Sequence, residues 1–227
     1  MTQSHSAQPS LAAMLLLGPT GAGKTPLGSL LHERGLAGRR YVHFDCGENL
    51  RQAVARNQPD SIVSAADIEF LRQVLQTGAL LEDKDFPLAE RILRSFLARV
   101  GAEADTLVVL NGLPRHVGQA TALARILDVR TVVVLDCSPA TVLARIATNT
   151  GGDRTHRSDD DLDSVRRKLE IFAARTAPLI DFYRHAGANL LHLEVTANST
   201  AEMSWDVLCT SIAEPRRSVG PSAGGTE

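Results

Sequence analysis

The stretch Gly18-Pro19-Thr20-Gly21-Ala22-Gly23-Lys24-Thr25 follows an apolar run and fits the pattern G-x-x-x-x-G-K-[ST]. Its glycines allow the backbone to curl so that successive N–H groups point inward. The helix predicted to follow adds its positive dipole end, Lys24 adds a cation, and Thr25 offers a hydroxyl to Mg²⁺. The pattern therefore predicts a loop that binds the phosphates of ATP. Its ligating residues would be Gly18, Gly21, Ala22, Gly23, Lys24 and Thr25.

The sequence on both sides of this loop favours that interpretation over an ordinary glycine-rich turn. Leu11–Leu17 is a continuous apolar run typical of a buried strand. The segment Lys24–Arg34 begins with a proline close to its start, as helices commonly do, and then continues as a helix. A strand, the loop and a helix in this order form the unit that such phosphate-binding loops require.

Four further segments have strand character, and predicted helices separate them. The predicted strands are 40–45, 106–110, 130–135 and 189–195. The predicted helices include 64–77, 88–100, 118–127, a helix capped by Ser138, 160–185 and 201–212. Strands that alternate with helices predict an α/β fold with a parallel sheet covered on both faces. Ligands would then bind at the carboxyl ends of the strands.

Composition limits the classes of partner. The chain has 227 residues, of which 44% are hydrophobic, enough for one sizeable domain over residues 11–213. Its 24 basic and 26 acidic residues nearly cancel, so we expect neither nucleic acid nor a membrane as a partner. Three widely spaced cysteines argue against a disulfide framework and favour a cytoplasmic protein. Residues 1–10 and 214–227 are predicted to be disordered tails.

Several short motifs behind the loop resemble those of nucleoside monophosphate kinases of the adenylate kinase type. Residues 111–120 (NGLPRHVGQA) are similar to the family's D-G-[FY]-P-R-x-x-x-Q-A, and residues 47–51 (GENLR) to its G-[DE]-x-L-R. Further along, Arg157-Ser158-Asp159-Asp160, Lys168-Leu169 and residues 176–179 (TAPL) resemble its last conserved region. The order of these motifs behind a phosphate loop strengthens the resemblance, which covers residues 11–195.

The resemblance implies a fold and an activity. The fold would be the five-stranded parallel sheet of the P-loop adenylate kinases, with a monophosphate-binding arm at 46–100 and a short lid at 147–160. The activity would be transfer of the γ-phosphoryl group of Mg·ATP to a nucleoside monophosphate, most plausibly AMP, giving two ADP. Mg²⁺ would be the cofactor, ATP and AMP the only partners, and the protein a monomer.

The resemblance also implies roles for individual residues. The acceptor monophosphate would be bound by Gly47, Arg51, Arg115 and Gln119, the last of which would contact the adenine. The donor ATP would be covered by Arg145 and Arg154. The catalytic cations would be Lys24, Arg115, Arg157 and Lys168. Without their motifs the arginines would be ordinary solvated charges and Gln119 an ordinary helix residue.

Four positions depart from the family pattern. Asn111 stands where the family has the aspartate that orders the water around Mg²⁺, which would leave Asn111 in the second shell of the metal without a negative charge. Lys168 replaces an arginine. Asp45-Cys46 replaces two small hydroxyl residues and is expected to put a carboxylate near the ribose and base of the acceptor.

These departures leave two alternatives open. One is a nucleotide-binding regulatory protein that keeps the kinase fold with weakened catalysis. The other is a kinase for UMP, CMP or another small metabolite. A switch GTPase is disfavoured because no N-K-x-D stretch is present.

Overall fold

A five-stranded, wholly parallel sheet forms the centre of the computed structural model, which describes residues 11–152 and 161–213. The strands are β1 (Leu11–Leu17), β2 (Tyr41–Asp45), β3 (Leu107–Asn111), β4 (Leu127–Asp136) and β5 (Asn189–Glu194). Their order across the sheet is β2-β3-β1-β4-β5. The predicted five-stranded parallel α/β fold is confirmed. Both predicted disordered tails lie outside the described residues.

Nine α-helices cover the two faces of the sheet in the described part of the chain. They are α1 (Lys24–Arg34), α2 (Cys46–Arg56), α3 (Ala65–Thr77), α4 (Phe86–Arg99), α5 (Val117–Leu123), α6 (Pro139–Thr148), α7 (Leu162–Ile171), α8 (Leu179–His185) and α9 (Ala201–Ala213). A 3₁₀ turn (Asp83–Asp85) precedes α4, and a π-helical segment (Phe172–Thr176) follows α7.

The apolar run in β1 is buried because this strand lies in the middle of the sheet. Its odd-numbered side chains, such as Leu15, join the core that contains α2 to α5 and α8. Its even-numbered ones, such as Leu16, join the core on the opposite face with α1 and α9. Successive side chains of a strand point to opposite faces, so a strand covered on both sides is apolar throughout.

Two predicted helices end or break earlier than expected. The helix predicted over 118–127 ends at Leu123, because Leu127 already belongs to β4 and pairs with Leu11. Leu123 and Leu127 are both buried and lie four residues apart. That spacing is typical of one helix face, but it also occurs where a helix ends and a strand begins, so the apolar pattern did not distinguish the two.

The helix predicted over 160–185 is interrupted where it passes the functional site. Pro178 has no N–H to donate, so the α-helical hydrogen bonds cannot run through it. The chain forms a π-helical segment instead, in which the Ala177 N–H donates to the Phe172 carbonyl at 2.8 Å. The interruption directs the Thr176 hydroxyl, which is buried, to the Arg115 carbonyl at 2.9 Å.

No helix within residues 11–152 and 161–213 combines the length and the apolar character needed to cross a membrane.

Leu15 should be a strong contributor to stability because its side chain is fully buried in the central strand. We expect Leu15→Ala to lower the free energy of unfolding by about 2–5 kcal/mol, through lost transfer energy and the cavity left behind. Leu162→Ala is the matched control, since Leu162 is 60% exposed and its truncation should cost less than about 0.5 kcal/mol. Urea unfolding followed by circular dichroism measures both, and equal losses would contradict this description of the core.

Candidate active site

A cavity of about 240 Å³ lies at the carboxyl ends of β1, β2 and β3. This is the edge where ligands are expected to bind in a parallel α/β sheet. The cavity collects most of the side chains that the sequence singled out. Its lining includes Gly18, Gly21, Gly23, Lys24, Thr25, Gly47, Arg51, Asn111, Arg115, Gln119 and Lys168.

The loop between β1 and α1 has the backbone geometry of a phosphate cradle. Gly21 and Gly23 have φ angles of 77° and 96°, in the left-handed region that glycine adopts at little cost. Helix α1 begins at Lys24, so its unpaired first N–H groups face the loop. The Lys24 ammonium donates at 2.7 Å to the carbonyls of Gly18 and Pro19, which holds the cation across the loop.

Thr25, Asp45 and Asn111 form a closed set of hydrogen bonds at the floor of the cavity. The Thr25 hydroxyl donates to Asp45 Oδ2 at 2.7 Å. Asn111 Nδ2 donates to Thr25 Oγ1 at 2.9 Å and to Asp45 Oδ2 at 2.8 Å. The sequence predicted that Asp45 lies near the ribose and base of the acceptor. In the structure its carboxylate instead accepts a hydrogen bond from the Thr25 hydroxyl of the phosphate loop.

These three residues fit a magnesium ion. Thr25 Oγ1 gives its proton to Asp45 and accepts one from Asn111, so one lone pair remains for a metal. A hydroxyl oxygen and a carboxylate are hard oxygen donors of the kind Mg²⁺ prefers, together with phosphate oxygens and water. Asn111 contacts Thr25 through its N–H group, which suits a residue one step removed from the metal.

Arg115 carries a positive charge that no carboxylate neutralises among the residues the structure describes. The only side-chain partner of its guanidinium there is the Thr176 hydroxyl, 3.5 Å from Nε. Burial disfavours the charged form and lowers the pKa of Arg115, but an arginine remains protonated in proteins. A desolvated, unneutralised guanidinium in a cavity is a strong attractant for an anion, because it presents a fork of donors that matches phosphate.

Cys46 lies close to Arg115 but does not neutralise it. Burial, together with the negative charge of Asp45, raises the pKa of the Cys46 thiol to about 12, so the thiol is neutral at physiological pH.

Arg51 lines the same cavity and forms hydrogen bonds with Glu48 of the same helix, α2. Its Nε and Nη2 donate to Glu48 Oε2 at 3.1 and 3.0 Å, and both side chains are nearly half exposed. Gly47 leaves room beside them, because a Cβ there would lie 3.3 Å from Arg51 Nη1. An incoming phosphate would share Arg51 with Glu48.

Gln119 is buried and has one protein partner at each end of its amide. Oε1 accepts the Arg115 N–H at 2.7 Å, and Nε2 donates to the Leu81 carbonyl at 2.7 Å. One N–H and one oxygen lone pair remain, which is what a base edge would need.

Arg145 lies on the other side of the phosphate loop and is 3% exposed. Its Nε donates to the Gly21 carbonyl at 2.8 Å, and its Nη1 donates to the carbonyls of Thr196 and Ser199 at 2.9 and 2.7 Å. Arg145 thus ties the loop to the segment before α9. It also borders a second cavity, of about 370 Å³, that opens beside Gly23 and Thr200.

The structure therefore brings most of the predicted site residues that it describes to one cavity. Arg145 borders the second cavity, and Arg154 and Arg157, with most of the predicted lid, lie outside the described residues. Ala22 is buried within the loop. Sequence reasoning missed the part that Asp45 and Thr176 play in the site. The available signal for Asp45 was its position at the end of β2, because the end of β2 lies next to the end of β3 in the sheet.

Comparisons with known proteins give matches over most of the chain. The family model described as adenylate kinase matches residues 16–188. The chain is 30% identical over 179 residues to an adenylate kinase of Prochlorococcus marinus (strain MIT 9211), covering 77% of this chain and 84% of that protein. It is 31% identical over 180 residues to an adenylate kinase of Xanthomonas campestris pv. campestris (strain B100), covering 77% of this chain and 86% of that protein.

The neutrality of Cys46 can be tested by alkylation. With a pKa of about 12, roughly one Cys46 thiol in ten thousand is ionised at pH 8, and the thiolate is the form that reacts. We expect iodoacetamide to label Cys46 at least about 100-fold more slowly in the folded protein than in urea, where the pKa returns to about 8.5. Peptide mass spectrometry gives both rates. Equal rates would show that Cys46 is not buried beside Arg115.

Proposed function

Because the chain belongs to the adenylate kinase family and is therefore a phosphotransferase of the nucleoside monophosphate kinase type, we propose that it transfers the γ-phosphoryl group of Mg·ATP to AMP. The products are two molecules of ADP. The observation that carries the proposal is the Arg115 guanidinium, which no carboxylate within residues 11–152 and 161–213 neutralises and which lines the same cavity as the phosphate loop.

Two groups of cations, one along the phosphate loop and one at Arg115 and Arg51, support a reaction between two phosphorylated molecules. Lys24 and the loop amides bind the donor phosphates, and Arg145 with the cavity beside Gly23 binds the rest of the donor. Arg115 and Arg51, which line the same cavity as Lys24, bind the acceptor phosphate. The second group stands apart from the loop amides and suits the phosphate of an acceptor.

The protein contributes position and charge to the transfer, since phosphoryl transfer asks for little covalent chemistry. Lys24, Arg115 and Lys168 surround the point where donor and acceptor phosphates meet, and they stabilise the charge on the oxygens of the transferred group. Thr25 would hold Mg²⁺ with the help of Asp45, and the ion would supply positive charge against the charge that develops on the phosphates. Arg154 and Arg157 lie outside the described residues, and the resemblance implies that they add positive charge on the donor side and help to exclude the water that would otherwise hydrolyse ATP.

We propose that Gln119 binds the adenine of AMP. The adenine edge carries an amino donor beside a ring nitrogen acceptor, and the remaining N–H and lone pair of Gln119 complement that pair. We also propose that the protein acts as a monomer in the cytoplasm, with arm 46–100 and lid 147–160 closing over the nucleotides. The three cysteines, all free of disulfides, suit a reducing compartment.

The choice of acceptor is tested by a screen with Mg·ATP and each nucleoside monophosphate. We expect the highest kcat/KM with AMP, because the amide of Gln119 matches the adenine edge. A coupled assay that detects ADP measures the initial rates. Equal or faster turnover with UMP or CMP would contradict the assignment, and turnover with none would favour the regulatory alternative.

The role of Arg115 is tested by two substitutions. Arg115→Ala should lower kcat/KM for AMP by about 100-fold or more, because it removes a charge that stabilises the transition state. Arg115→Lys should lose less, since it keeps the charge without the fork of donors. Arg94→Ala is the matched control, as Arg94 is 57% exposed and pairs with Glu90. Unchanged kinetics in Arg115→Ala, with a normal circular dichroism spectrum, would refute the role.

A further inference from the structure

We infer that Asp45 is the positioning carboxylate for the magnesium ion of Mg·ATP, acting from the end of β2. The inference rests on the proposed function, because it presumes that Mg·ATP binds at the phosphate loop. The family pattern puts this carboxylate at the end of β3, where the chain has Asn111. The negative charge is therefore present at the site, but on the neighbouring strand.

The register of the sheet makes such an exchange possible. β2 and β3 are adjacent and parallel, and Asp45 pairs directly with Asn111. The two side chains project from neighbouring strand ends towards the same loop, and they are hydrogen-bonded to each other at 2.8 Å. Both side chains are hydrogen-bonded to the Thr25 hydroxyl, so a carboxylate at position 45 or at position 111 lies close to that hydroxyl.

The direction of each hydrogen bond supports a role at the metal. Asp45 Oδ2 accepts the proton of Thr25, which turns a lone pair of Oγ1 outward, as a metal ligand requires. Asn111 donates to both oxygens and fixes their orientation. Asp45 Oδ1 accepts the Glu48 N–H at 3.0 Å and caps α2, so the carboxylate is held at both ends.

The charge of Asp45 also has no cationic partner in the part of the chain that the structure describes. Among residues 11–152 and 161–213, Asp45 forms hydrogen bonds with Thr25, Asn111 and Glu48 but no ion pair with a lysine, arginine or histidine. A half-buried carboxylate without a cation is unfavourable by itself, because burial removes part of its hydration. A divalent cation beside Thr25 would supply the missing positive charge.

The test compares the effect of Mg²⁺ on ATP affinity in three proteins: the wild type, Asp45→Asn, and the exchange Asp45→Asn/Asn111→Asp. Asparagine keeps the oxygen that caps α2 and removes the charge. In the double variant the amide at 45 can donate to the carboxylate at 111, so the hydrogen bonds are preserved with the charge returned to β3. Isothermal titration calorimetry with ATP alone, in Mg²⁺ and in EDTA, gives the ratio of the two Kd values.

We expect Mg²⁺ to strengthen ATP binding to the wild type. In Asp45→Asn this Mg²⁺ effect on the Kd for ATP should be smaller by about tenfold or more, which is the usual loss when a group that orients a metal ligand is removed. The affinity measured in EDTA should change much less, because Lys24 and the loop amides still bind the phosphates. The double variant should recover most of the gain. Thermal unfolding of the three proteins without ligand serves as the control for folding.

Two results would overturn the inference alone: an Mg²⁺ effect in Asp45→Asn equal to that of the wild type, or a double variant as defective as the single one. The second result would assign Asp45 a purely structural role at the helix cap. A wild type that binds no ATP in either condition would overturn the proposed function as well. A wild type that binds Mg·ATP but fails the acceptor screen would overturn only the proposed acceptor.

Discussion

The parallel arrangement of the sheet is the constraint on which the site depends. All five strands point their carboxyl ends to one edge, so the residues after β1, β2 and β3 meet there although they are far apart in sequence. The phosphate loop follows β1, Asp45 ends β2, and Asn111 ends β3. The buried apolar strands make this edge rigid, since close packing on both faces leaves the strands no room to shift.

The electrostatics of the cavity follow from which charges are paired inside the protein. Lys24 is held by the carbonyls of Gly18 and Pro19, and Arg145 by three other carbonyls, so these cations are fixed in place before any ligand arrives. Arg115 and Asp45 have no ionic partner among the described residues. Arg115 could therefore attract a phosphorylated substrate to this cavity, and Asp45 could attract a metal ion.

The interrupted helix shows how a local defect can serve the site. Pro178 ends regular α-helical bonding, and the π-helical segment that results brings the buried Thr176 to Arg115. The Thr176 hydroxyl binds the Arg115 backbone and lies near its guanidinium without neutralising it. A carboxylate at that place would fix the arginine equally well and would cancel the charge. A hydroxyl therefore holds the side chain while leaving it able to attract phosphate.

The sequence by itself determined the phosphate loop, the five strands and the order of the family motifs, because these depend on local spacing and on apolar runs. It also determined the family, which the comparisons confirm. Only the tertiary structure decided that Asp45 bonds Thr25, that Arg145 ties the loop to the segment before α9, and that Leu127 begins a strand. The physical reason is that these features depend on strand register and on contacts between residues 20 to 124 positions apart. A periodic sequence pattern relates only residues a few positions apart. The pairing of β2 with β3, by contrast, places Asp45 beside Asn111.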